Sequence, residues 1–422
     1  MDDRFLAYRI LSKIERDKAY SNITVDGVLK ENEATSTQFV CALVYGVLER
    51  KITIDYYLSI FLSQPIKKLN PQVLTILRMG VYQIKFMDKV PDSAAVNESV
   101  KLSKKVKCGF ASGLINSVLR KISSNDISLP ETENEIYNMS IKYSCPEVLV
   151  EHYVNDYGYI DAKKILKSSI GSVPTFIRVN TLKITPDLLI AQLDKEGVTA
   201  EHISENETSL EIIDGYAFKT ECYKKGYFHA QDLASQRCIE CLNPQENDVV
   251  FDLCAAPGGK SFTIAEMMNN IGKIYSFDLY EHKIKLINDG AKRLGIDIID
   301  ANIWDASVYN PKLPKADKVL CDVPCGGLGV IRRKPEIKYK DFGFIDKLLD
   351  LQYNILNNAS LYLKENGVLV YSTCSLSKKE NENICERFLN EHSEFKLDSM
   401  TTLIPHRNSD GFFFAKFIKE SI

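Results

Sequence analysis

A glycine-rich loop and two cysteines carry the chemistry that this sequence offers. The loop is DLCAAPGGK, Asp252 to Lys260, set between an apolar strand and a helix. Gly258 and Gly259 let the main chain approach a ligand closely, and the helix that follows presents free N–H groups at its N-terminus. The pattern is not GxGxxG. GGKS is present, but the leading glycine of a phosphate-binding loop is missing. An acid then follows each of the next three strands: Asp278, Asp305 and Asp322. The first lies about 20 residues downstream, where a carboxylate ordinarily accepts from ribose hydroxyls. One such Asp is usually a turn former or helix cap. Three in register beside a glycine loop favour a ligand with amino and hydroxyl donors.

Cys325 stands in DVPCGGLGV after the fourth strand, and Cys374 in YSTCSL after the fifth. A buried cysteine is commonly inert packing. These two lie instead at the carboxyl ends of parallel strands, on the rim where open α/β sheets bind ligands. Such a pair suits methylation of a pyrimidine at C5. That carbon is too weak a nucleophile to take a methyl group from a sulfonium. A thiolate adding to C6 makes it enamine-like, splitting one hard step into easier ones. A carboxylate near N3 and N4 helps accept charge; a base then removes the C5 proton and the thiol leaves. The residues alone leave open which cysteine attacks.

The elements that must hold these groups are read from periodicity. Beyond Asn243, apolar strands at Val249–Leu253, Ile274–Phe277, Ile296–Ile299, Lys318–Cys321 and Val368–Ser372 alternate with helices at Ser261–Asn269, Glu281–Leu294 and Phe344–Leu363. That order predicts a doubly wound parallel sheet, with Phe412 to Ile418 as one more strand. Residues 1 to about 125 read as helices throughout: Val73, Leu74, Leu77, Val81 and Ile84 recur at helical spacing, behind Asn70 as N-cap and Pro71. Ser123 to Glu135 is a polar linker, and 136 to about 240 mixes helices and strands in a small α+β subdomain.

At 422 residues the chain predicts two or three domains, and its 45% hydrophobic and 26% charged content describes a soluble globular protein. No apolar run approaches the roughly 18 residues of a membrane span. Eleven cysteines spread over the length fit a reducing compartment, with the cytoplasm as the default address. The CxxC of Cys238 and Cys241 has no second pair at zinc spacing, and the six histidines form no metal-like pattern, so no metal is expected. Charge is uneven. Residues 1–125 hold 19 Lys and Arg against 12 Asp and Glu, and the remainder 34 against 44, so the front of the chain is the part expected to meet phosphate.

DLCAAPGGK, DVPCGGLGVIRRKPEIKY and VYSTCSL together resemble the cytosine-5 RNA methyltransferases of the Sun/Nol1/Nop2 family. Phe228, Gln231, Asp232, Ser235 and Gln236 match its FxxQDxxSQ element, Arg178 to Asn180 its RVN element, and Asp410 to Ala415 its DGFFxA element. Six motifs in family order run from about residue 140 to the end. The front resembles NusB, an RNA-binding antitermination factor, through Ile76-Leu77-Arg78, Val90-Pro91, Ala95 to Val100 and Ile115 to Leu119. This fusion is the arrangement of the family's bacterial 16S rRNA enzymes. The resemblance implies a multidomain fold: an all-α NusB-like RNA-binding bundle at 1–127, a linker and small α+β subdomain at 128–240, and an α/β Rossmann-like class I methyltransferase domain at 241–422.

It further implies S-adenosylmethionine as cofactor, lined by Cys254, Ala255, Ala256, Pro257, Gly258, Gly259, Lys260, Asp278, Asp305 and Asp322. Cys374 would be the nucleophile and Cys325 the cysteine assisting product release. Asp322 would contact the cytosine amidine edge, with Lys260 near both cofactor and base. Three residues depart from the family pattern. Gly326 replaces a small side chain, which implies a looser loop; Cys145 stands where His is frequent, and Lys283 where Arg is. The implied partner is 16S rRNA, bound by a monomer. Arg332, Arg333 and Lys334 are well placed for target phosphates, whereas Lys101, Lys104 and Lys105 are equally well explained as a solvated face. Two alternatives stand beside this reading: a tRNA cytosine-C5 methyltransferase and a non-catalytic RNA-binding assembly factor.

Overall fold

The computed structural model describes every residue except 1, 18, 33 and 422. The chain divides into two compact units. One is the chain up to Gly171 together with Ile331–Lys340; the other is Ser172–Val330 together with the chain from Asp341 onward.

The first unit is helical: Asp3–Asp17, Ser21–Glu31, Thr37–Phe61, Pro71–Phe86, Asp92–Lys105, Ser112–Ser124, Glu135–Tyr143 and Glu147–Ser168. Leu6, Ile10, Leu43, Val44, Ile76, Leu77, Val81, Ile115 and Leu119 form its solvent-free core. The expected start of the Pro71 helix holds: the Asn70 side chain accepts from the N–H groups of Gln72 and Val73. Arg78 is buried in this unit, paired through two nitrogens with Asp55 at 2.7 and 2.8 Å and with Glu15 at 3.1 Å. The helix Glu147–Ser168 runs through Gly158, whose φ of 75° breaks it without ending it.

The segment Ile331–Lys340 packs within this helical unit. Glu336 accepts from both the N–H and the hydroxyl of Ser21 at 3.1 and 2.8 Å. Buried Lys338 donates to the carbonyls of Glu49 and Ser144, and Tyr339 to that of Leu48. Cys145, one of the departures from the family pattern, is buried beside this segment, and burial pushes its thiol up to about 12.

In the second unit, β1 (Thr175–Val179), β2 (Thr199–Ile203), β3 (Asn206–Asp214) and β4 (Phe228–Ala230) form an antiparallel sheet in the order β2-β3-β1-β4. A second sheet has seven strands: β5 (Val249–Asp252), β6 (Lys273–Asp278), β7 (Ile299–Ile303), β8 (Ala316–Asp322), β9 (Leu363–Thr373), β10 (Phe395–Leu403) and β11 (Phe412–Lys419). Their order is β10-β11-β9-β8-β5-β6-β7. Strands β5 to β9 are parallel, but β11 runs antiparallel to β9 and β10 antiparallel to β11. The sheet is therefore mixed where the sequence predicts a parallel one. The order reverses between β5 and β8, and the crevice at their carboxyl ends is the switch point where such sheets bind ligands.

Two strand expectations shift for identifiable reasons. Ile296 belongs to no strand. Gly295 adopts φ 74° as the helix C-cap, and Ile296 donates its N–H back to Ala291 while burying its side chain at the cap, so the edge strand β7 starts only at Ile299. Strand β10 escapes a search for apolar runs because it is an edge strand, mostly half-exposed along FKLDSMTTL.

Candidate active site

Strand β5 delivers Asp252 fully buried to the bottom of the crevice. Its Oδ2 accepts from Ser261 Oγ at 2.7 Å, while Oδ1 has no hydrogen-bond partner among the described residues. Burial pushes this carboxyl up to about 7. The chain turns at Gly258, where φ is 109° and a Cβ would stand 2.4 Å from the Phe262 ring, and then enters the helix Gly259–Met267. A cavity of about 230 Å³ opens here, lined by Asp252, Cys254, Ala255, Ala256, Pro257, Gly259, Lys260 and Asp322, together with Ala230, Gln231, Asp232 and Ser235. The upstream QDxxS element thus reaches the same cavity as the glycine loop.

At the end of β8, Asp322 Oδ2 accepts from Lys260 Nζ at 2.6 Å and Oδ1 from Ser372 Oγ at 2.9 Å. Burial alone would lower the Lys260 ammonium; the charge and hydrogen bond of Asp322, with Cys238 and Asp252 nearby, together outweigh it and hold the amine well above its ordinary value. The Lys260 amine also sits 5.3 Å from the centre of the Phe412 ring. Asp278 and Asp305 are not among the lining residues of the cavity. Asp278 is buried at the end of β6 and paired with Lys283 at 3.1 Å. Asp305 is exposed, and its Oδ1 accepts from both the N–H and the hydroxyl of Ser307, a local turn.

Cys325 and Cys374 meet at a separation of 3.3 Å between their sulfurs. The hydrogen bond to Cys374, burial, and the nearby carboxylates of Glu380 and Asp322 all push the Cys325 thiol up. Main-chain bonds tie the surrounding loops. Gly329 N–H donates to the Cys374 carbonyl, and Gly411 N–H to that of Gly329, both at 2.9 Å. A Cβ on Gly329 would stand 2.0 Å from the Gly411 oxygen, which explains a glycine here and ties the DGFFxA element to both cysteine loops.

Several residues that sequence reading passes over hold this arrangement. Glu380 and Asn381, from the run KKENEN, are both fully buried. Glu380 Oε1 accepts from Gly326 N–H at 2.7 Å, and its Oε2 from Ser375 Oγ. Asn381 Nδ2 donates to the Ser375 carbonyl and its Oδ1 accepts from Thr373 Oγ1 at 2.6 Å. The loop after Cys325 is thus tied down, and Gly326 makes room for the tie: a Cβ there would stand 2.9 Å from Glu380 Oε2. The one sequence signal was a polar run right after a cysteine motif.

The RVN and SQ elements hold the crevice from behind. Buried Arg178 binds Glu266 at 2.7 Å and Gln236 at 2.9 Å, and Asn180 donates to the carbonyls of Gly226 and Leu294. Gln231 donates to the Gly259 carbonyl at 3.2 Å and accepts from Thr263 at 2.7 Å, linking β4 to the cavity's helix.

The expected RNA contacts all lie in the helical unit. Lys101, Lys104 and Lys105 are exposed along the end of the Asp92–Lys105 helix; Lys101 pairs with Glu98 at 2.7 Å and Lys105 with Asp2 at 3.5 Å. Arg332, Arg333 and Lys334 are half-exposed at the start of the packed segment 331–340. Cys238 and Cys241 stand on the helix Leu233–Leu242, Cys238 fully buried. Among the described residues no group of His, Cys, Asp and Glu is placed to hold a metal ion, and no helix is long and apolar enough to cross a membrane.

Residues 239–418 match the 16S rRNA methyltransferase RsmB/F family, residues 1–124 the NusB family, and residues 145–218 the RsmF/B-like ferredoxin-like domain. The chain is 36% identical to a probable ribosomal RNA small subunit methyltransferase B of Bacillus subtilis, over 96% of this chain and 92% of that one. It is 30% identical to a protein of the same description from Synechocystis, over 99% of both. Among solved structures, PH0851 superposes with a TM-score of 0.82 at 27% identity, covering 100% of this chain and 99% of that one. NSun6 from Pyrococcus horikoshii, solved with SFG, gives 0.61 at 25% identity over 66% and 99%. On its sequence, its fold and the geometry of its crevice, the chain belongs to the ribosomal RNA small subunit methyltransferase B family.

Proposed function

We propose that this protein transfers a methyl group from S-adenosylmethionine to C5 of a cytosine in 16S rRNA, with Cys374 as nucleophile and Cys325 assisting release. The observation that carries this reading is the pair of thiols 3.3 Å apart, on the strand-end loops that follow an Asp322 already bound by Lys260 and Ser372.

The crevice fits the cofactor by its donors and acceptors. Asp252 Oδ1 is a buried acceptor without a protein partner in the cavity, suited to an amino group, and the N-terminus of the helix Gly259–Met267 suits a carboxylate. Bound there, S-adenosylmethionine supplies an electrophilic methyl group. The protein's own residues do the rest. Asp322, anchored by Lys260 and Ser372, faces the N3/N4 edge of the base and answers the charge that develops as the thiolate adds at C6. The Cys374–C6 bond turns C5 into a nucleophile. After methylation a base takes the C5 proton, the C5–C6 double bond re-forms, and Cys374 leaves as a thiolate.

Cys325 suits that last step. The contact that raises it most is its bond to Cys374, whose sulfur holds the Cys325 proton, and a Cys374 held as a thioether carries no negative charge to hold it. The second thiol is thereby freed to ionise once the first is committed. Reaching a base this way requires it to be turned out of its stack, as for other enzymes acting on bases.

The test is transfer of labelled methyl from S-adenosylmethionine to deproteinised 16S rRNA, followed by digestion to nucleosides. The label is expected in 5-methylcytidine. Label in any other nucleoside, or none at all, would overturn the proposal.

A further inference from the structure

Three fully buried polar side chains surround the cysteine pair, and their bonds are distributed unequally. The Cys325 loop is held on both sides of the cysteine. Gln352 Nε2 donates to the Pro324 carbonyl at 2.9 Å, and Glu380 Oε1 accepts from Gly326 N–H at 2.7 Å; the two side chains also bond each other at 2.9 Å. The Cys374 loop takes one hydroxyl bond from this group, Ser375 Oγ to Glu380 Oε2. It has a separate anchor as well in Asn381, which donates to the Ser375 carbonyl at 3.0 Å and accepts from Thr373 Oγ1 at 2.6 Å. A buried carboxylate is costly unless it is hydrogen-bonded, and Glu380 accepts from Gly326, Gln352 and Ser375.

We propose that Glu380 is a positioning residue for product release, setting the Cys325 loop against an independently anchored Cys374. The proposal rests on the reading in which Cys374 attacks and Cys325 assists release. It predicts an asymmetry that general loss of packing would not give. With the carboxylate removed, the Gly326 tie is lost while the Cys374 loop keeps its bonds to Asn381. Attack at C6 then proceeds, and elimination lags.

Gln in place of Glu380 keeps an oxygen for Gly326 N–H and offers an amide N–H to Ser375 Oγ, which can accept in place of donating. That substitution is therefore expected to restore release, whereas Ala leaves Gly326 N–H buried without a partner.

The experiment follows the full-length protein with 16S rRNA and S-adenosylmethionine, reading the covalent protein–RNA adduct on denaturing gels over time beside methyl transfer. Glu380→Ala is expected to accumulate adduct at least several-fold over wild type while turnover falls at least tenfold, and Glu380→Gln to stay within a few-fold of wild type in both. Cys325→Ala and Cys374→Ala are run alongside. Should Cys325→Ala fail to accumulate adduct, the assignment of roles fails. Should it accumulate adduct while Glu380→Ala loses attack and release together, or forms no adduct, only the Glu380 proposal falls. Ser375→Ala, which removes the other arm of the carboxylate, separates the two ties: it is expected to leave release close to wild type. Adduct accumulation in Ser375→Ala equal to that in Glu380→Ala would also contradict the assignment.

Discussion

Lys260 and Asp322 form a 2.6 Å ion pair across the crevice, the lysine from the first turn of the helix after β5 and the aspartate from the end of β8. The pair spans the switch point of the sheet and joins the wall of the cavity to the loop that carries Cys325. Lys260→Met keeps the length of the side chain but removes the cation, leaving Asp322 with Ser372 alone. Methyl transfer is expected to fall by about 10²-fold or more, on the scale of losing one preorganised electrostatic partner. Steady-state kinetics checks this, with near-normal far-UV circular dichroism as the control; full activity in the variant would remove Lys260 from the site.

Burial of Asp252 carries a cost in stability. Its carboxyl is raised by burial to about 7, so between its ordinary range near 4 and that value the folded state holds a proton that the unfolded chain has lost. Stability attributable to this group therefore falls as pH rises through that window and stays low above it. Asp252→Asn is expected to melt higher than wild type at pH 8, with the difference closing below about pH 4. The same variant is expected to bind S-adenosylmethionine at least tenfold more weakly. Thermal melts across pH beside calorimetric titration check both; a variant less stable at pH 8 would contradict the assigned burial cost.

Arg178 belongs to the scaffold. It and Glu266 are almost completely buried, and removing the guanidinium leaves the carboxylate facing His229 Nδ1 at 3.4 Å. Arg178→Ala is expected to destabilise the protein by roughly 3–5 kcal/mol, the scale for breaking a buried ion pair from one side. Denaturant unfolding measures it. A loss of activity with unchanged stability would show that the RVN element acts in chemistry instead.

The lysines at the end of the Asp92–Lys105 helix give a graded test of RNA contact. Two of the three are already paired with acids, so releasing counterions from RNA costs them those partners. Replacing Lys101, Lys104 and Lys105 together by Ala is expected to reduce the slope of log K against log salt by less than the roughly 0.7–0.9 per contact of unpaired cations. Filter binding at several salt concentrations checks it; an unchanged slope would place the RNA elsewhere.

What the sequence showed about this site divides along physical lines. Groups at strand ends were legible: the glycine loop, Asp322, Cys325 and Cys374 stand where apolar runs stop, and local pattern is enough to find them. The groups that hold them were not. Glu380, Asn381 and Gln352 are polar residues whose partners lie far off in sequence or on loops of no regular pattern, and a run such as KKENEN looks like solvated surface until its burial is known. Asp305 shows how alike two strand-end acids look in sequence: its position resembles that of Asp322, yet its Oδ1 accepts from Ser307 in a local turn. The segment 331–340 follows the Cys325 loop in sequence but packs with helices some 280 to 320 residues earlier, through Glu336 and Tyr339, which no local signal reveals.

The central claim is the division of labour between Cys374 and Cys325, and the covalent adduct tests it most directly. Each single Ala variant is incubated with 16S rRNA and S-adenosylmethionine, and the mixture is run on a denaturing gel. Cys325→Ala is expected to accumulate a protein–RNA adduct because elimination stalls, and Cys374→Ala to form none and transfer no methyl group. An adduct in Cys374→Ala and none in Cys325→Ala would contradict the account and reverse the two roles.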